Sequence, residues 1–260
     1  MQELDAKIAL LIDADNSPAS KIDVILSELA KYGVANVRRA YGNWTNPSLK
    51  CWEDQVHEYA IRPVQQFDYT KGKNATDVAL VIDAMDLLYT QRLDAFCIVS
   101  SDSDFTPLVM RILTSGHKVY GFGEKKTPPP FVNACSKFIY LEALSEAIGK
   151  SNETNGATEE KSTKILKKDR KLVHLLCNAV EAVCADDGWS HLGKVGQQIA
   201  NQASFDPRNY GYRKLSELIE AISIFEIKRD NQVIWVKNKQ PRKQMEPMNL
   251  LPELTNNITN

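Results

Sequence analysis

The sequence predicts an α/β domain built on a parallel sheet, followed by a small winged helix-turn-helix domain. Three observations carry that prediction. Residues 7–142 alternate short apolar runs with amphipathic stretches, as strands joined by helical crossovers do. Residues 149–161, GKSNETNGATEEK, lack the apolar side chains needed to join a core and read as a linker. Beyond them, three helical periodicities precede an alternating segment, FEIKRDNQVIWV, broken by a polar turn at Asp230 and Asn231.

In order along the chain, the first strand is expected over residues 7–13. A helix follows in which Ile22, Ile25, Leu26 and Leu29 recur at i, i+3, i+4 and i+7, with Pro18 near its first turn and Gly33 past its end. The second and third strands fall over 36–41 and 61–67. The next helix takes its apolar stripe from Val78, Val81, Ile82, Met85, Leu88 and Tyr89. Strands over 95–100 and 118–122 enclose a helix through Leu108, Val109, Ile112 and Leu113, which Gly116 closes. Pro128 to Pro130 reads as a rigid loop, and a last strand covers 137–141. In the second domain, Leu172, Leu176, Ala179 and Val183 mark one helix, Leu192, Val195 and Ile199 another, and Leu215, Leu218, Ile219 and Ile222 a third. The expected boundaries are 1–148 for the first domain, 149–163 for the linker, 164–240 for the second domain and 241–260 for a disordered tail rich in Pro and Asn.

At 260 residues, with 43% hydrophobic and 25% charged residues, the chain falls in the globular class. Its longest apolar runs, 8–12 and 78–82, are far shorter than the ~20 residues that span a bilayer, so no membrane segment is expected. The five cysteines are odd in number and contain no Cys-x-x-Cys pair, which argues against a disulfide framework or thiolate zinc site and predicts a reducing, cytoplasmic setting. Residues 161–243 hold 16 Lys and Arg against 9 Asp and Glu, a net +7 that leaves −8 for the rest of a chain whose net charge is −1. A basic block joined to an acidic one suggests one part that holds a polyanion and another whose carboxylates bind metal, although a basic face that is merely solvated gives the same sums.

Four carboxylates fall where an open parallel sheet does its chemistry, at the carboxyl ends of strands and in the first turns of the helices that follow. Asp13 ends the first strand in IDADN, Asp77 opens a helix in KNATDVAL, and Asp102 and Asp104 follow the fourth strand in VSSDSDF. If the first and fourth strands are neighbours, these side chains converge. Clustered carboxylates are hard ligands that repel one another unless a divalent cation such as Mg2+ or Mn2+ lies among them. Beside a polyanion-binding domain, such a site points to phosphodiester chemistry. Each acid also has a purely structural reading: Asp104 or Asp77 as a helix-terminal residue, Asp13 or Asp15 folding back on the turn before Pro18. Asp83 and Asp86 are expected to face solvent. No His-Glu-x-x-His pair and no Walker-type loop are present, and Ser100, Ser101 and Ser103 lack a histidine partner and read as hydrogen-bonding neighbours of the acids.

The ordered series IDADN, KGKNATDVALVIDAMDLLY, IVSSDSDFTPLV and GHKVYGFG resembles the NYN domain of the LabA-like group, a PIN-like nuclease fold, over roughly residues 5–145. The resemblance implies a metal-dependent ribonuclease with Asp13, Asp77, Asp102 and Asp104 as its catalytic, metal-binding acids, and with Mg2+ or Mn2+ as the cofactor the expected activity is endonucleolytic cleavage of RNA. Asn16 matches the family's polar residue after the first strand and is expected to orient a phosphate or a metal water. Lys71 and Lys73, just ahead of the Asp77 helix, are expected to reach the substrate strand. Arg38, Arg39, Tyr41 and Trp44 lie on or just after the second strand, where the aromatics either stack on a base or, for Tyr41, pack in the core.

The stretch SFDPRNYGYRKLSELIEAISIFEIKRDNQVIWVKN resembles the end of an OST-HTH, or LOTUS, domain. That implies recognition of single-stranded or structured RNA, or of protein partners, rather than catalysis. Arg208, Tyr210, Tyr212, Arg213 and Lys214 put cations and aromatics at the start of its third helix, and Lys228 and Arg229 add cations on the wing. Two other readings stay open at the level of sequence: a catalytically silent RNA-binding or scaffold protein, and a PIN-like nuclease acting on DNA.

Overall fold

The computed structural model describes residues 5–67, 75–144, 166, 169–231 and 233–239. The predicted linker and tail, together with Lys71 and Lys73, lie outside the described residues. Six strands form one all-parallel sheet: β1 (Lys7–Asp13), β2 (Val34–Gly42), β3 (Arg62–Gln65), β4 (Ala95–Val99), β5 (Lys118–Gly123) and β6 (Lys137–Tyr140), in the order β3-β2-β1-β4-β5-β6. Chain order reverses between β1 and β4, whose pairing runs from Ile8 opposite Ala95 to Ile12 opposite Val99. At such a reversal, neighbouring crossovers leave to opposite faces and open a crevice at the carboxyl ends of the two strands.

The alternation of side chains along the strands builds two cores. Ile8, Leu10, Ile12, Cys97, Val99 and Phe122 face α1 (Ile22–Leu29) and the segment holding Leu49, Trp52 and, on α2 (Glu53–Glu58), Val56. Ala9, Leu11, Phe96, Ile98, Val119 and Phe138 face α3 (Ala75–Thr90), α4 (Thr106–Thr114) and α5 (Pro129–Ala134). Gly33 is required where the chain enters β2: its φ is +155°, and a Cβ there would stand 2.1 Å from the Ala6 carbonyl oxygen.

Three expectations need correction. The third strand is shorter than 61–67. Pro128 to Pro130 is not a loop, because Pro129 and Pro130 open α5, where a missing N–H costs nothing. Half of the apolar stripe chosen for α3 lies outside: Val78, Ile82 and Tyr89 are more than half exposed, whereas Val81, Met85 and Leu88 pack on the core beside Leu80, Ala84 and Leu87. This helix is apolar nearly all round, so periodicity alone does not say which face meets the sheet.

The C-terminal unit has α6 (Arg170–Ala182), α7 (Leu192–Gln202) and α8 (Leu215–Ile222), with a sheet in the order β7 (Ser190–His191), β9 (Val233–Asn238), β8 (Phe225–Asp230). Leu172, Leu176, Val195, Ile199, Leu218, Ile219, Ile222, Phe225 and Val236 form its core. Asn231, at φ +51°, turns the expected hairpin. Among the described residues the three expected helices and the wing are present, with the short β7 strand as an addition.

The two units are docked together. Arg208 donates to both carboxylate oxygens of Glu28 at 2.6 and 2.7 Å and to Asp206 at 2.8 and 2.9 Å, while Lys137 approaches Asp206 at 3.0 Å. Asn209 pairs with the open edge of β6, its Nδ2 donating to the Phe138 carbonyl at 2.9 Å and its Oδ1 accepting from the Tyr140 N–H at 3.1 Å. A side-chain amide thereby completes the ladder on an edge strand that otherwise offers unpaired groups.

Candidate active site

Asp13, Asp77 and the Asp102–Asp104 turn meet at the β1/β4 reversal. Asp13 closes β1 and is fully buried. Its carboxylate accepts from the Asn16 N–H at 3.2 Å, from Asn16 Nδ2 at 3.1 Å and from Ser100 Oγ at 2.8 Å. Ser100 in turn accepts from the Asp102 N–H at 3.1 Å, so one hydroxyl ties the acid of β1 to the turn after β4. Ser101 accepts from the Glu124 N–H at 2.9 Å and anchors that turn to the end of β5.

Asp102 accepts from the Asp104 N–H at 2.9 Å and is the N-cap of the short turn Ser103–Phe105. The capping role that the sequence suggested for Asp104 therefore belongs to Asp102. Asp15 accepts from Thr76 Oγ1 at 2.9 Å, which joins the loop after β1 to the first turn of α3, one residue from Asp77. Sequence reasoning missed Thr76, which is buried; a threonine directly before the acid was its only signal.

Electrostatics show how closely the acids gather. Burial raises the Asp77 carboxyl, and the charges of Asp13, Asp102, Asp104 and Asp15 add to it, pushing it up to about 6. Burial also raises Asp13, against the lowering effect of the Ser100 and Asn16 hydrogen bonds. Anionic oxygens at the end of a sheet are the hard donors that Mg2+ or Mn2+ takes, and a divalent cation would relieve the repulsion that holds Asp77 up. The donor chemistry fits such an ion. The spacing as it stands is looser, since among the described residues no three His, Cys, Asp or Glu side chains are close enough together to hold a metal.

Asp83 differs from expectation. It is only 23% exposed, ion-paired with Arg39 and hydrogen-bonded to the hydroxyl of the buried Tyr41. The pair fixes α3, and with it Asp77, against β2. Tyr41 and Arg39 are accordingly engaged within the protein. Trp44 donates from Nε1 to the Val64 carbonyl at 2.9 Å.

In the C-terminal unit, Arg208, expected to contact RNA, is 15% exposed and holds Glu28 and Asp206 across the two units. Its forked guanidinium suits two carboxylates equally well, which sequence alone does not distinguish from a phosphate. Tyr210 stacks on Phe205 and packs with Tyr212 against the helical core. Arg213 and Lys214 are exposed, and their N–H groups donate to Glu217 at 3.0 and 3.3 Å, which caps α8.

A family model described as the NYN domain matches residues 7–142, and one described as the OST-HTH/LOTUS domain matches residues 163–236. An uncharacterized protein of Methanocaldococcus jannaschii, MJ0482, is 26% identical over 170 residues, covering 64% of this chain and 65% of that protein. The chain thus spans just under two thirds of the length of the curated relative it matches. The crystal structure of a Vibrio parahaemolyticus protein of unknown function, VPA0982, superposes with a TM-score of 0.45 at 20% identity, covering 54% of this chain and 96% of that one.

Proposed function

This chain belongs to the NYN family, a PIN-like nuclease family, and we propose that it is a metal-dependent endoribonuclease whose OST-HTH domain holds the RNA. The observation that carries this reading is the placement of Asp13 at the end of β1, Asp102 and Asp104 in the turn after β4 and Asp77 in the first turn of α3, where burial, and after it the charges of Asp13, Asp102, Asp104 and Asp15, raise the Asp77 carboxyl to about 6. Asp13, Asp77, Asp102 and Asp104 are the residues that would hold Mg2+ or Mn2+. Such an ion supplies Lewis acidity to the phosphodiester and makes water a nucleophile near neutral pH.

The chain's own residues supply position. Ser100 and Asn16 orient the Asp13 carboxylate through three hydrogen bonds, and Thr76 holds Asp15 beside the start of α3. These are positioning residues; the four acids form the reacting centre. A silent RNA-binding role draws support from the local hydrogen bonds that Asp13, Asp15 and Asp102 already make.

The test uses end-labelled single- and double-stranded RNA and DNA of one sequence, each incubated with the full chain in Mg2+, Mn2+ or chelator. Internal cuts in RNA that stop with chelator are expected. Cleavage of DNA alone supports the DNA-nuclease alternative, and no cleavage in either metal supports the silent one.

A further inference from the structure

A groove of about 550 Å³ runs between α6 and α7 of the C-terminal unit, lined by Arg170, Lys171, His174, Leu175, Asn178 and Gln202. We propose that this groove, rather than the turn from Arg208 to Lys214, is the principal seat of the RNA backbone. The inference rests on the reading that the chain acts on RNA, and gives that function a place.

Four observations converge on it. First, the leading part of the expected turn is engaged, with Arg208 locked between Glu28 and Asp206, Asn209 paired to β6 and Tyr210 packed on Phe205, which leaves Arg213 and Lys214 as its exposed cations. Second, the groove's cations are available. Arg170 and Lys171 are exposed and make no ion pair among the described residues, and the neighbouring acid, Asp169, already accepts the Lys171 and Leu172 N–H groups at 3.1 and 3.0 Å. Third, the donors share one face, because Arg170, His174 and Asn178 are spaced four residues apart. Asn178 Nδ2 lies 3.0 Å from His174 Nδ1; with the amide donating, the imidazole proton sits on Nε2 as a further donor to phosphate. Fourth, Arg170 and Lys171 stand side by side in the first turn of α6, within a block, residues 161–243, that carries 16 Lys and Arg against 9 Asp and Glu.

The test measures fluorescence anisotropy of a labelled single-stranded RNA of about 20 nucleotides with the full chain in chelator, so that binding is read without cleavage. Arg170→Ala with Lys171→Ala is expected to weaken binding about tenfold and to flatten the salt dependence by about 1.4 log units per decade, for two phosphate contacts. Arg213→Ala with Lys214→Ala should change affinity less than about twofold. All four side chains are exposed, so thermal midpoints should match wild type; Arg170→Gln with Lys171→Gln, which keeps length and polarity, must reproduce the loss. If wild type binds RNA and the Arg170 and Lys171 changes leave both affinity and slope intact, the groove is wrong and the ribonuclease reading stands. If no form binds RNA, both fail.

Discussion

Asp77 sets the electrostatics of the site at the level of a single residue. An acid whose folded value is raised to about 6 binds a proton more readily in the native than in the unfolded chain, so it subtracts stability as pH rises through the window from about 4 to 6. In metal-free protein, stability should fall across that window, and Asp77→Asn should lessen the fall, leaving the part due to the raised Asp13, and match or exceed wild type at pH 7 by about 1–2 kcal/mol after solvent screening. Calorimetric unfolding from pH 4 to 7 in chelator checks it; a large loss of stability in Asp77→Asn would show that the carboxylate is a helix-terminal stabiliser instead. Asp83 predicts the opposite sign. Removing it leaves Arg39 and the Tyr41 hydroxyl without their partner, and Asp83→Ala should cost about 1–3 kcal/mol in denaturant titration.

Secondary-structure elements show which features a sequence reveals. The β1 strand was legible to the residue because a run of buried residues ends at an acid and a turn, and α4 because its apolar stripe is narrow and Gly116 closes it at φ +86°. The rotation of α3 was not, since Val78, Ile82 and Tyr89 are as apolar as the residues it buries; its orientation follows from Asp83 meeting Tyr41 across to β2. Asp13, Asp77 and Asp102 were legible as a group because each falls at a strand end or helix start, and parallel topology places those ends together. The links from Ser100 to Asp13 and from Thr76 to Asp15 span 87 and 61 residues, and only the Ser100 link was hinted at by its neighbours. At this scale Gly33→Ala should destabilise by about 2 kcal/mol or more, because a side chain at that φ also meets the Ala6 carbonyl. A denaturation midpoint equal to wild type would contradict the tight entry to β2.

Across the whole molecule, the domains form a docked pair where the sequence suggested tethered units. Burial alone would raise Glu28, but hydrogen bonds from Arg208, Lys31 and Tyr32 take it down to about 2, and Arg208 and Lys137 hold Asp206 below its usual range against the same effect of burial. Acids lowered in this way stabilise the native state above the unfolded value near 4 and lose that contribution as pH falls toward 2. Docking should thus persist through neutral and mildly acid solution and loosen only below about pH 4. Arg208→Ala leaves Glu28 and Asp206 buried beside Lys31 and Lys137 alone, a change of about 3–5 kcal/mol in buried pairs. Small-angle scattering should show a larger radius of gyration for that variant at pH 7, and an unchanged radius would mean that the β6 edge contacts of Asn209 suffice.

The central claim is that the clustered acids at the β1/β4 crevice cleave RNA with the help of a divalent cation. Its most direct test is the initial rate of cleavage of end-labelled RNA by wild type and by Asp77→Asn at saturating Mn2+, with the thermal midpoint of each protein measured in the same buffer. The rate of Asp77→Asn should be lower by at least on the order of 100-fold in a protein that melts no lower than wild type. Equal rates in two equally folded proteins would contradict it.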